Sequence, residues 1–274
     1  MELSKLTLMA VFAHPDDEAF GTGGTLTKYA AEGNDVYVVT ATRGEAGQIA
    51  EPDLATSANL PFVREQELRC ACQIYGIHPP HFLDYQDGQL TIVNQGQAVG
   101  RLVRIIRELK PQVLVTFGPD GIYGHYDHIA VYRWATIAVD LATDPDCFPE
   151  QFSDVCEPHQ VSKVYFRALP EDQVAAMADE DGKPAAVMMD NVPFYFAAQP
   201  EGEISAVIDV SHYVEPKLRG IQCHATQVGR NNRFFDTPDE VMEEHWFRHE
   251  HFVLASSTLG QPEGVETDLF AGLW

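Results

Sequence analysis

The 274-residue chain is 45% hydrophobic, which is enough apolar material for one large α/β domain, or for one domain that carries a smaller appendage. Its 18 Lys and Arg residues stand against 41 Asp and Glu residues, so the formal charge is -23 at pH 7. A surface this acidic repels phosphate backbones and anionic lipid headgroups, and it therefore argues against nucleic acid and membrane surfaces as partners.

The N-terminus and the cysteines indicate the compartment. The first residues lack the basic start, long apolar core and small-residue cleavage site of a signal peptide. No stretch reaches the roughly 18 uncharged apolar residues that a membrane-spanning helix needs. We therefore expect a cytoplasmic protein without membrane insertion. The five cysteines show no framework spacing, so in a reducing compartment we expect them to be unpaired, small apolar residues.

Apolar runs and helical periodicity alternate along the first half of the chain. The runs predict buried strands, and apolar residues three or four positions apart predict the helices between them. In chain order we predict a strand at 6–13, a helix at 25–31, a strand at 36–42, helices at 62–77 and 98–109, and a strand at 113–118. Nearly uniform apolar strands separated by helices are typical of a parallel sheet that is covered on both faces.

The second half of the chain has weaker patterns. We predict an acidic loop or insertion at 143–160, strands at 164–169 and 204–210, an exposed turn at 179–184 and a capped helix at 237–249. No internal repeat or low-complexity linker divides the chain. One domain with a C-terminal elaboration is therefore the simplest organisation.

A polar loop follows each of three predicted strands. HPDDE (14–18) follows the first strand, RGEAG (43–47) the second, and GPDGIYGHYDH (118–128) the strand at 113–118. Parallel sheets bind ligands at the carboxyl ends of their strands. The three loops are therefore expected to converge on one edge of the sheet, where we expect the functional site.

Two of these loops contain the residue types of a metal site. His14 and Asp17 are three residues apart, and HYDH (125–128) offers a third ligand from another loop at the same edge. Imidazole and carboxylate are good zinc ligands, and three protein ligands with an open fourth position define a catalytic zinc site. Taken singly, HPDDE could be a polar turn that caps a helix, and HYDH could be a surface turn. Their joint placement at neighbouring strand ends favours the metal site.

GTGG (21–24), shortly after the first strand, suggests a dinucleotide-binding turn, but its context contradicts this. The glycines do not complete G-x-G-x-x-G, and no acid ends the second strand to hold a ribose. The carboxylates of HPDDE would also repel a pyrophosphate. Close packing beneath the metal loop is the better interpretation of these glycines.

Five segments resemble those of the LmbE/PIG-L family of zinc-dependent de-N-acetylases, namely AHPDDE (13–18), TRGEAG (42–47), R-x-x-E-L (64–68), H-x-D-H (125–128) and KLRGIQCHATQ (217–227). The resemblance runs from about residue 6 to 228 and is weak over 143–203. It implies an α/β fold, a Rossmann-like three-layer sandwich with a mainly parallel sheet. It also implies a single domain with an insertion near 143–203 and a C-terminal extension after about 228.

The resemblance implies how the first loop works. His14, Asp17 and His128 would bind zinc, or another divalent ion such as Fe2+, since such ligands do not strictly discriminate between these metals. Asp16 would be the general base that takes a proton from the attacking water. The two adjacent aspartates would then have different roles, because Asp17 would bind the metal and Asp16 would accept the proton.

The second loop completes the catalytic set that the resemblance implies. His125 would stabilise the oxyanion or protonate the leaving amine, and Asp127 would orient its ring and favour the imidazolium. Tyr123 would reach the substrate carbonyl. The family usually has proline where this chain has Tyr126, so the detailed shape of the turn is expected to differ.

Three further residues are expected at the substrate: Arg64, Asp84 and His224. The resemblance implies that Arg64 binds hydroxyls or a phosphate, while a structural salt bridge to a nearby glutamate is the alternative from the residues alone. His224 matches a family histidine that lies near the pocket. Asp84 and Asp87 follow a predicted third strand and could bind sugar hydroxyls, although Asp87 before a glycine is equally typical of a turn.

Together these features predict a zinc-dependent hydrolase that removes acetyl from an N-acetylglucosamine-type amine, giving acetate and a free amine. Two alternatives stay open: a metal-dependent amidase of another acylated small molecule or natural product, and a non-catalytic metal- or ligand-binding protein. The candidate base Asp16 and the candidate acid His125 lie beside the ligands in sequence, which favours an enzyme over a binding protein. The expected partner is a small-molecule N-acetylated amino sugar whose aglycone the sequence does not identify, and a homo-oligomer is compatible with the resemblance.

Overall fold

The computed structural model describes residues 5–153, 156–179, 181–189 and 191–274. The strands are β1 (Thr7–Phe12), β2 (Asp35–Thr40), β3 (His81–Phe82), β4 (Val113–Thr116), β5 (Lys163–Ala168), β6 (Ala186–Met189), β7 (Val192–Tyr195), β8 (Ala206–Asp209) and β9 (His249–Ser257). The α-helices are α1 (Asp17–Ala31), α2 (Leu60–Tyr75), α3 (Gln95–Leu109), α4 (Gly121–Gly124), α5 (Tyr126–Ala142), α6 (Glu171–Ala176), α7 (Val214–Cys223), α8 (Ala225–Val228), α9 (Arg233–Asp236), α10 (Pro238–Glu243) and α11 (His245–Arg248).

Seven strands form one sheet in the order β3-β2-β1-β4-β5-β9-β8. The pairs from β3 to β5 are parallel, and β9 pairs antiparallel with both β5 and β8. The predicted α/β fold with a mainly parallel sheet is therefore confirmed. Strands β6 and β7 form a separate antiparallel hairpin.

Helices cover both faces of this sheet, which explains why its central strands are apolar throughout. Helices α1, α2 and α7 pack on one another, while α3 and α5 pack on each other and α5 contacts β1 and β4. Residues 8–12 of β1 and 113–115 of β4 are almost completely buried. Because a parallel sheet between two helical layers has no wet face, alternation of polar and apolar residues is not expected there.

Helix α1 begins at Asp17, not near Thr25 as predicted. Its glycines obscured the helical pattern, since glycine has low helix propensity. Tertiary packing explains two of them: a Cβ at Gly23 would approach the Tyr75 hydroxyl, and a Cβ at Gly24 would overlap the side chain of Val210. The early start matters because it places Asp17 in the first turn of a helix.

The C-terminal elements differ most from the predictions. Strands β5 and β8 correspond to the predicted strands, but the predicted helix at 237–249 is split into α10 and α11 and leads directly into β9. The hairpin β6–β7 was not predicted. Residue 180 of the predicted turn and residues 154–155 of the predicted acidic loop lie outside the described residues.

A disulfide joins Cys70 of α2 to Cys223 at the end of α7, with 6.0 Å between the Cα atoms. The expectation that these two cysteines are unpaired and buried was wrong. Their separation of 153 residues explains why sequence spacing gave no signal for the pair. Within the described part of the chain, no helix is long and apolar enough to cross a membrane.

Candidate active site

The loop after β1 places two carboxylates at the start of α1. Asp16 is the residue that precedes the helix, and its φ of 107° lies in a region that non-glycine residues seldom adopt. Acids of the same motif stabilise this turn: Asp17 Oδ2 accepts from the His14 backbone N–H at 2.7 Å, and Glu18 Oε2 accepts from the Asp16 N–H at 3.0 Å. An unusual backbone held in this way is typical of functional sites.

The loop after β4 places two histidines at the start of α5. His125 precedes the helix, and its Nδ1 accepts from the backbone N–H of Asp127 at 3.1 Å. His128 follows in the first turn, where it is buried and stacks on Phe117. The ring centroids of His125 and His128 lie 4.5 Å apart. Both rings are therefore held by the same helix start.

His14, Asp17 and His128 meet as the sequence predicts. The two carboxylate oxygens of Asp17 lie 3.4 Å from His14 Nδ1 and 3.2 Å from His128 Nε2. His128 Nδ1 donates to the Gly121 carbonyl at 3.1 Å, which leaves Nε2 as the ring nitrogen that faces Asp17. Among the described residues, the buried Nε2 atom has no partner with hydrogen-bond geometry. An enclosed ring nitrogen beside a carboxylate and a second imidazole offers the donor types that a metal ion requires.

The opposite nitrogen of His14 contacts two further carboxylates. Its Nε2 lies 2.9 Å from Asp87 Oδ1 and 3.4 Å from Asp127 Oδ2. A carboxylate that accepts a hydrogen bond from one imidazole nitrogen directs the other nitrogen to the metal. These two carboxylates also accept from backbone N–H groups, of Ala46, Gly88 and Leu90. These contacts hold both carboxylates behind His14, where they are suited to orient its ring, so we take the cluster around Asp17 as the candidate metal site.

The charge of Asp17 agrees with this assignment. Burial by itself raises the pKa of Asp17, but the adjacent His128 and His14 rings bring it well below the usual range. Asp17 therefore remains the carboxylate that metal binding requires.

Asp127 differs from its predicted role. Its carboxylate contacts His14, whereas only its backbone N–H reaches His125. Burial, together with the neighbouring His128 and His14 rings, lowers the pKa of His125 to about 4. The predicted imidazolium was therefore wrong: His125 is a neutral ring with its Nδ1 engaged, and its Nε2–H is the group that can donate to a ligand.

Arg64 on α2 is paired with Asp16. Its Nη2 lies 3.1 Å from Asp16 Oδ2 and also donates to the Pro15 carbonyl, while its Nη1 donates to the Gly44 carbonyl at 2.8 Å. Gly44 has a φ of 68°, and a Cβ there would overlap the guanidinium. Arg64 thus forms a salt bridge with an aspartate of the first loop in place of a glutamate, and it also lines the cavity, so contact with a substrate stays a prediction.

Asp16 is suited to accept a proton near neutrality. Burial raises the pKa of Asp16 to about 6. The positive charge of Arg64 lowers this pKa, and the negative charge of Asp17 raises it further. Because Arg64 is bonded to Oδ2, the other oxygen is the one available to a ligand. Glu18 supports this loop from behind, where its Oε1 lies 2.7 Å from His224 Nε2.

These groups open onto a cavity of about 710 Å³. Its lining in the described chain is His14, Asp16, Asp17, Ala46, Gly47, Gln48, Arg64, Asp87, Gly88, Tyr123, His125, Tyr126, Asp127, Val187, Met188, Met189, Val192, Phe194 and Gln227. We call the side formed by Asp16, Asp17 and Asp87 the acidic wall. Tyr123 lies between this wall and the hairpin, with its ring edge-on to His125 and Phe196. Burial raises its pKa, so its hydroxyl keeps its proton.

Two predicted substrate residues do not reach the cavity. Asp84 is exposed and pairs with Arg43 at 2.5 Å, and in the described structure it is not among the lining residues. His224 is completely buried and bonded to Glu18. It therefore acts on the Asp16 loop through Glu18 instead of touching a ligand.

Sequence reasoning missed the roles of Asp87, Glu18 and the hairpin β6–β7. Asp87 is followed by glycine, which is equally typical of a turn residue. Glu18 is the last residue of HPDDE, and nothing else in the sequence indicated its role. The hairpin side of the cavity, which we call the apolar wall, consists of Val187, Met188, Met189, Val192 and Phe194. No motif marked these residues, because they reach the site through tertiary structure alone.

Comparison with known proteins gives consistent matches. Residues 9–139 match the profile of the PIG-L family, described as GlcNAc-PI de-N-acetylase. The chain is 34% identical to the 1D-myo-inositol 2-acetamido-2-deoxy-alpha-D-glucopyranoside deacetylase 1 of Catenulispora acidiphila, over 97% of this chain and 89% of that protein. It is 35% identical to the corresponding deacetylase of Nocardioides sp., over 97% and 98%.

A solved structure confirms the architecture. The N,N'-diacetylchitobiose deacetylase of Pyrococcus horikoshii superposes with a TM-score of 0.67 and covers 92% of this chain and 84% of its own, at 18% identity. Identity at this level supports the fold and leaves the substrate open.

Proposed function

Because the chain belongs to the PIG-L family of GlcNAc-PI de-N-acetylases, we propose that it hydrolyses the acetamide of a small N-acetylglucosaminyl compound at the cavity described above. It is a deacetylase, that is, a hydrolase of a linear amide bond. The observation that carries the site assignment is the enclosed Nε2 of His128, which in the described structure makes no hydrogen bond, lies 3.2 Å from Asp17 Oδ1 and belongs to a ring near that of His14.

The proposed cofactor is a zinc ion held by His14, Asp17 and His128. Two ring nitrogens and a carboxylate are the donors of a catalytic zinc site, and Fe2+ could use the same donors. When bound, the metal would activate the attacking water and polarise the acetyl carbonyl.

Asp16 is proposed as the proton carrier. Its Oδ1 would take the proton from the attacking water, while Arg64 holds Oδ2 and keeps the carboxylate in place. A pKa near 6 lets the same oxygen release the proton to the leaving nitrogen. Water and the amide then give acetate and a free amine, and Asp16 returns to its starting state.

His125 and Tyr123 are proposed as donors to the acetyl oxygen. The neutral His125 ring has its Nδ1 occupied, and the residue lines the cavity, so its Nε2–H is the donor available to a ligand. The Tyr123 hydroxyl keeps its proton, since burial raises its pKa. Fixed donors aimed at an oxygen that gains negative charge stabilise the transition state.

The substrate class rests on the relatives and on the cavity. The two curated relatives are named as deacetylases of an inositol 2-acetamido-2-deoxyglucopyranoside, so an N-acetylated amino sugar is the first candidate. The apolar wall favours the second candidate, an acylated compound with an apolar group on the side away from the acetyl. Met188 and Val192 of this wall are half exposed, as expected for apolar residues that a bound ligand would cover.

The test is acetate release from a panel of substrates. The panel contains N-acetylglucosamine, its dimer, its inositol conjugate, an aryl N-acetylglucosaminide and an unrelated acetamide, with zinc-loaded and iron-loaded protein. We expect one of the sugars to be hydrolysed, and an Asp16→Ala variant with the same metal content to be slower by at least about 100-fold. Metal-loaded wild-type protein that releases no acetate from any sugar would contradict the proposal.

A further inference from the structure

Tyr126 is an exposed aromatic residue that lines the cavity, and the proposed chemistry gives it no role. It is the first residue of α5, between His125 and Asp127. Side chains of a helix lean toward its N-terminus, which here is the end at the sheet edge where the catalytic loops converge. Yet 63% of Tyr126 is exposed, although an aromatic ring has a large apolar surface that proteins usually bury. A ring in this position is available to a ligand.

Phe194 of the hairpin contacts this ring. The two ring centroids lie 5.9 Å apart, and the ring planes make an angle of 86°, which is the edge-to-face arrangement that aromatic pairs favour. Phe194 also lines the cavity, whereas in the described structure the next residue, Tyr195, does not. Side chains alternate between the two sides of a strand, so β7 turns Phe194 toward the cavity. We call Tyr126 and Phe194 the aromatic corner.

The aromatic corner extends the apolar wall. Met188 and Val192 of this wall are 50% and 53% exposed, so several apolar side chains present uncovered surface to the same cavity. Apolar surface gathered in a cavity is typical of a site that binds an apolar group. The hydroxyls of a polyol would be left unpaired against these side chains, which is unfavourable. This side of the cavity is therefore suited to an apolar part of the substrate.

Charge and size narrow the ligand further. Asp16, Asp17, Asp87 and Asp127 line the cavity, and Arg64, which also lines it, is already paired with Asp16. Even with Asp17 assigned to the metal, the other carboxylates disfavour an anionic group such as a phosphate. The volume of about 710 Å³ falls within the range of about 300–1,000 Å³ that is typical of sites for drug-sized ligands. The cavity thus has room for a second ring beside an acetamido sugar.

We propose that Tyr126 determines substrate specificity, and that its ligand is an uncharged aromatic aglycone of the amino sugar; the sugar half of this substrate rests on the proposed function. The face of the Tyr126 ring stacks on the aglycone, and the contact with Phe194 keeps the tyrosine ring in place. Consecutive Cα atoms are about 3.8 Å apart. A substrate whose acetyl oxygen meets His125 therefore comes within reach of Tyr126.

The test compares phenyl and methyl N-acetylglucosaminides as substrates of the metal-loaded protein. We expect the wild type to prefer the phenyl compound, and Tyr126→Ala to lower the ratio of the two kcat/KM values by ~3- to 10-fold, mainly through KM. Tyr126→Phe keeps the ring and should keep the ratio, whereas Tyr126→Leu should not. Phe62→Ala is the matched control, since Phe62 is 67% exposed and, in the described structure, lies outside the lining.

Three results would overturn the inference. An unchanged ratio in Tyr126→Ala would show that the ring does not contact the aglycone. A wild-type ratio in Tyr126→Leu would show that apolar bulk is sufficient and that the aglycone need not be aromatic. A loss that follows the metal content of the variants, measured on the same preparations, would assign Tyr126 a structural role beside the proposed ligand His128.

Binding of the deacetylated products separates this inference from the proposed function, because it needs no turnover. By titration calorimetry, phenyl glucosaminide should bind more tightly than methyl glucosaminide, and Tyr126→Ala should remove most of the difference. If no N-acetylated sugar is hydrolysed but this difference is found, the proposed function is wrong and the aromatic corner stands. If a sugar is deacetylated and the difference is absent, the aromatic aglycone alone is wrong.

Discussion

The acidic wall and the apolar wall of the cavity are built in different ways. The acidic wall follows β1 and β3, and each of its carboxylates has fixed partners, such as Arg64 for Asp16 and His14 for Asp87. The apolar wall belongs to a two-stranded hairpin outside the main sheet. The segment that follows it is bonded to the catalytic loop, by the Ala197 N–H that donates to the Ile122 carbonyl at 2.7 Å and by the Gln199 side-chain amide that donates to Asp120 at 2.8 Å.

This difference separates chemistry from substrate choice. Groups that must keep their geometry lie at the ends of sheet strands, where packing and hydrogen bonds fix them. Side chains that meet the variable part of a substrate lie on a peripheral element that tolerates change. Substitutions in the acidic wall should therefore change turnover or metal content, and substitutions in the apolar wall should change substrate affinity.

The largest effect is expected from His128→Ala. Removing the ring takes away one of three proposed ligands and leaves the Asp17 carboxylate without its neighbour. Metal content, measured by elemental analysis after dialysis, should fall well below one per chain. Activity should fall further than in any variant that keeps its metal. Full metal occupancy in this variant would show that the ligand assignment is wrong.

Asp16→Asn should come next. The amide is almost the same size as the carboxylate but cannot accept the proton, so turnover should fall by ~10²- to 10⁴-fold. Metal content should equal that of the wild type, because Asp16 is not a proposed ligand. Steady-state acetate release and metal analysis on the same preparation check both statements, and a variant with near-normal turnover would exclude Asp16 as the base.

Asp87→Asn tests whether the acidic wall also orients the proposed metal ligand His14. Loss of the negative acceptor at His14 Nε2 should weaken metal binding by ~10- to 100-fold, as measured by competition with a chelating dye. Asp84→Asn is the matched control, since Asp84 is three residues away and exposed, and its partner is Arg43. Equal metal affinities in the two variants would contradict the orienting role of Asp87.

The smallest effect is expected on the apolar wall. Phe194→Ala should raise KM for a substrate with an apolar aglycone by ~5-fold, with kcat nearly unchanged, because it removes binding that the ground and transition states share. Tyr195→Ala is the control on the same strand, since Tyr195 is half exposed and, in the described structure, not part of the lining. A fall in kcat for Phe194→Ala would mean that this wall takes part in the chemistry.

The site was predicted unevenly, and the differences have physical causes. Proximity in sequence and placement after neighbouring strands were sufficient to bring His14 and Asp17 together with HYDH (125–128), whereas the choice of His128 within that motif came from the family resemblance. They were not sufficient for Asp127, whose carboxylate turned out to face His14 and not the adjacent His125. Asp84 and Asp87 are alike in sequence, yet the turn exposes one and buries the other. The choice between such neighbours depends on side-chain direction, which sequence spacing does not give.

The sequence alone was sufficient for the parallel part of the sheet and for the edge at which the loops meet, because these depend on local periodicity and on the fixed direction of parallel strands. Only the tertiary structure decided the place of β9 between β5 and β8, the Cys70–Cys223 bond and the apolar wall. Each of these features joins residues that are far apart in the chain. No local pattern encodes such contacts, which form when the helices and strands pack.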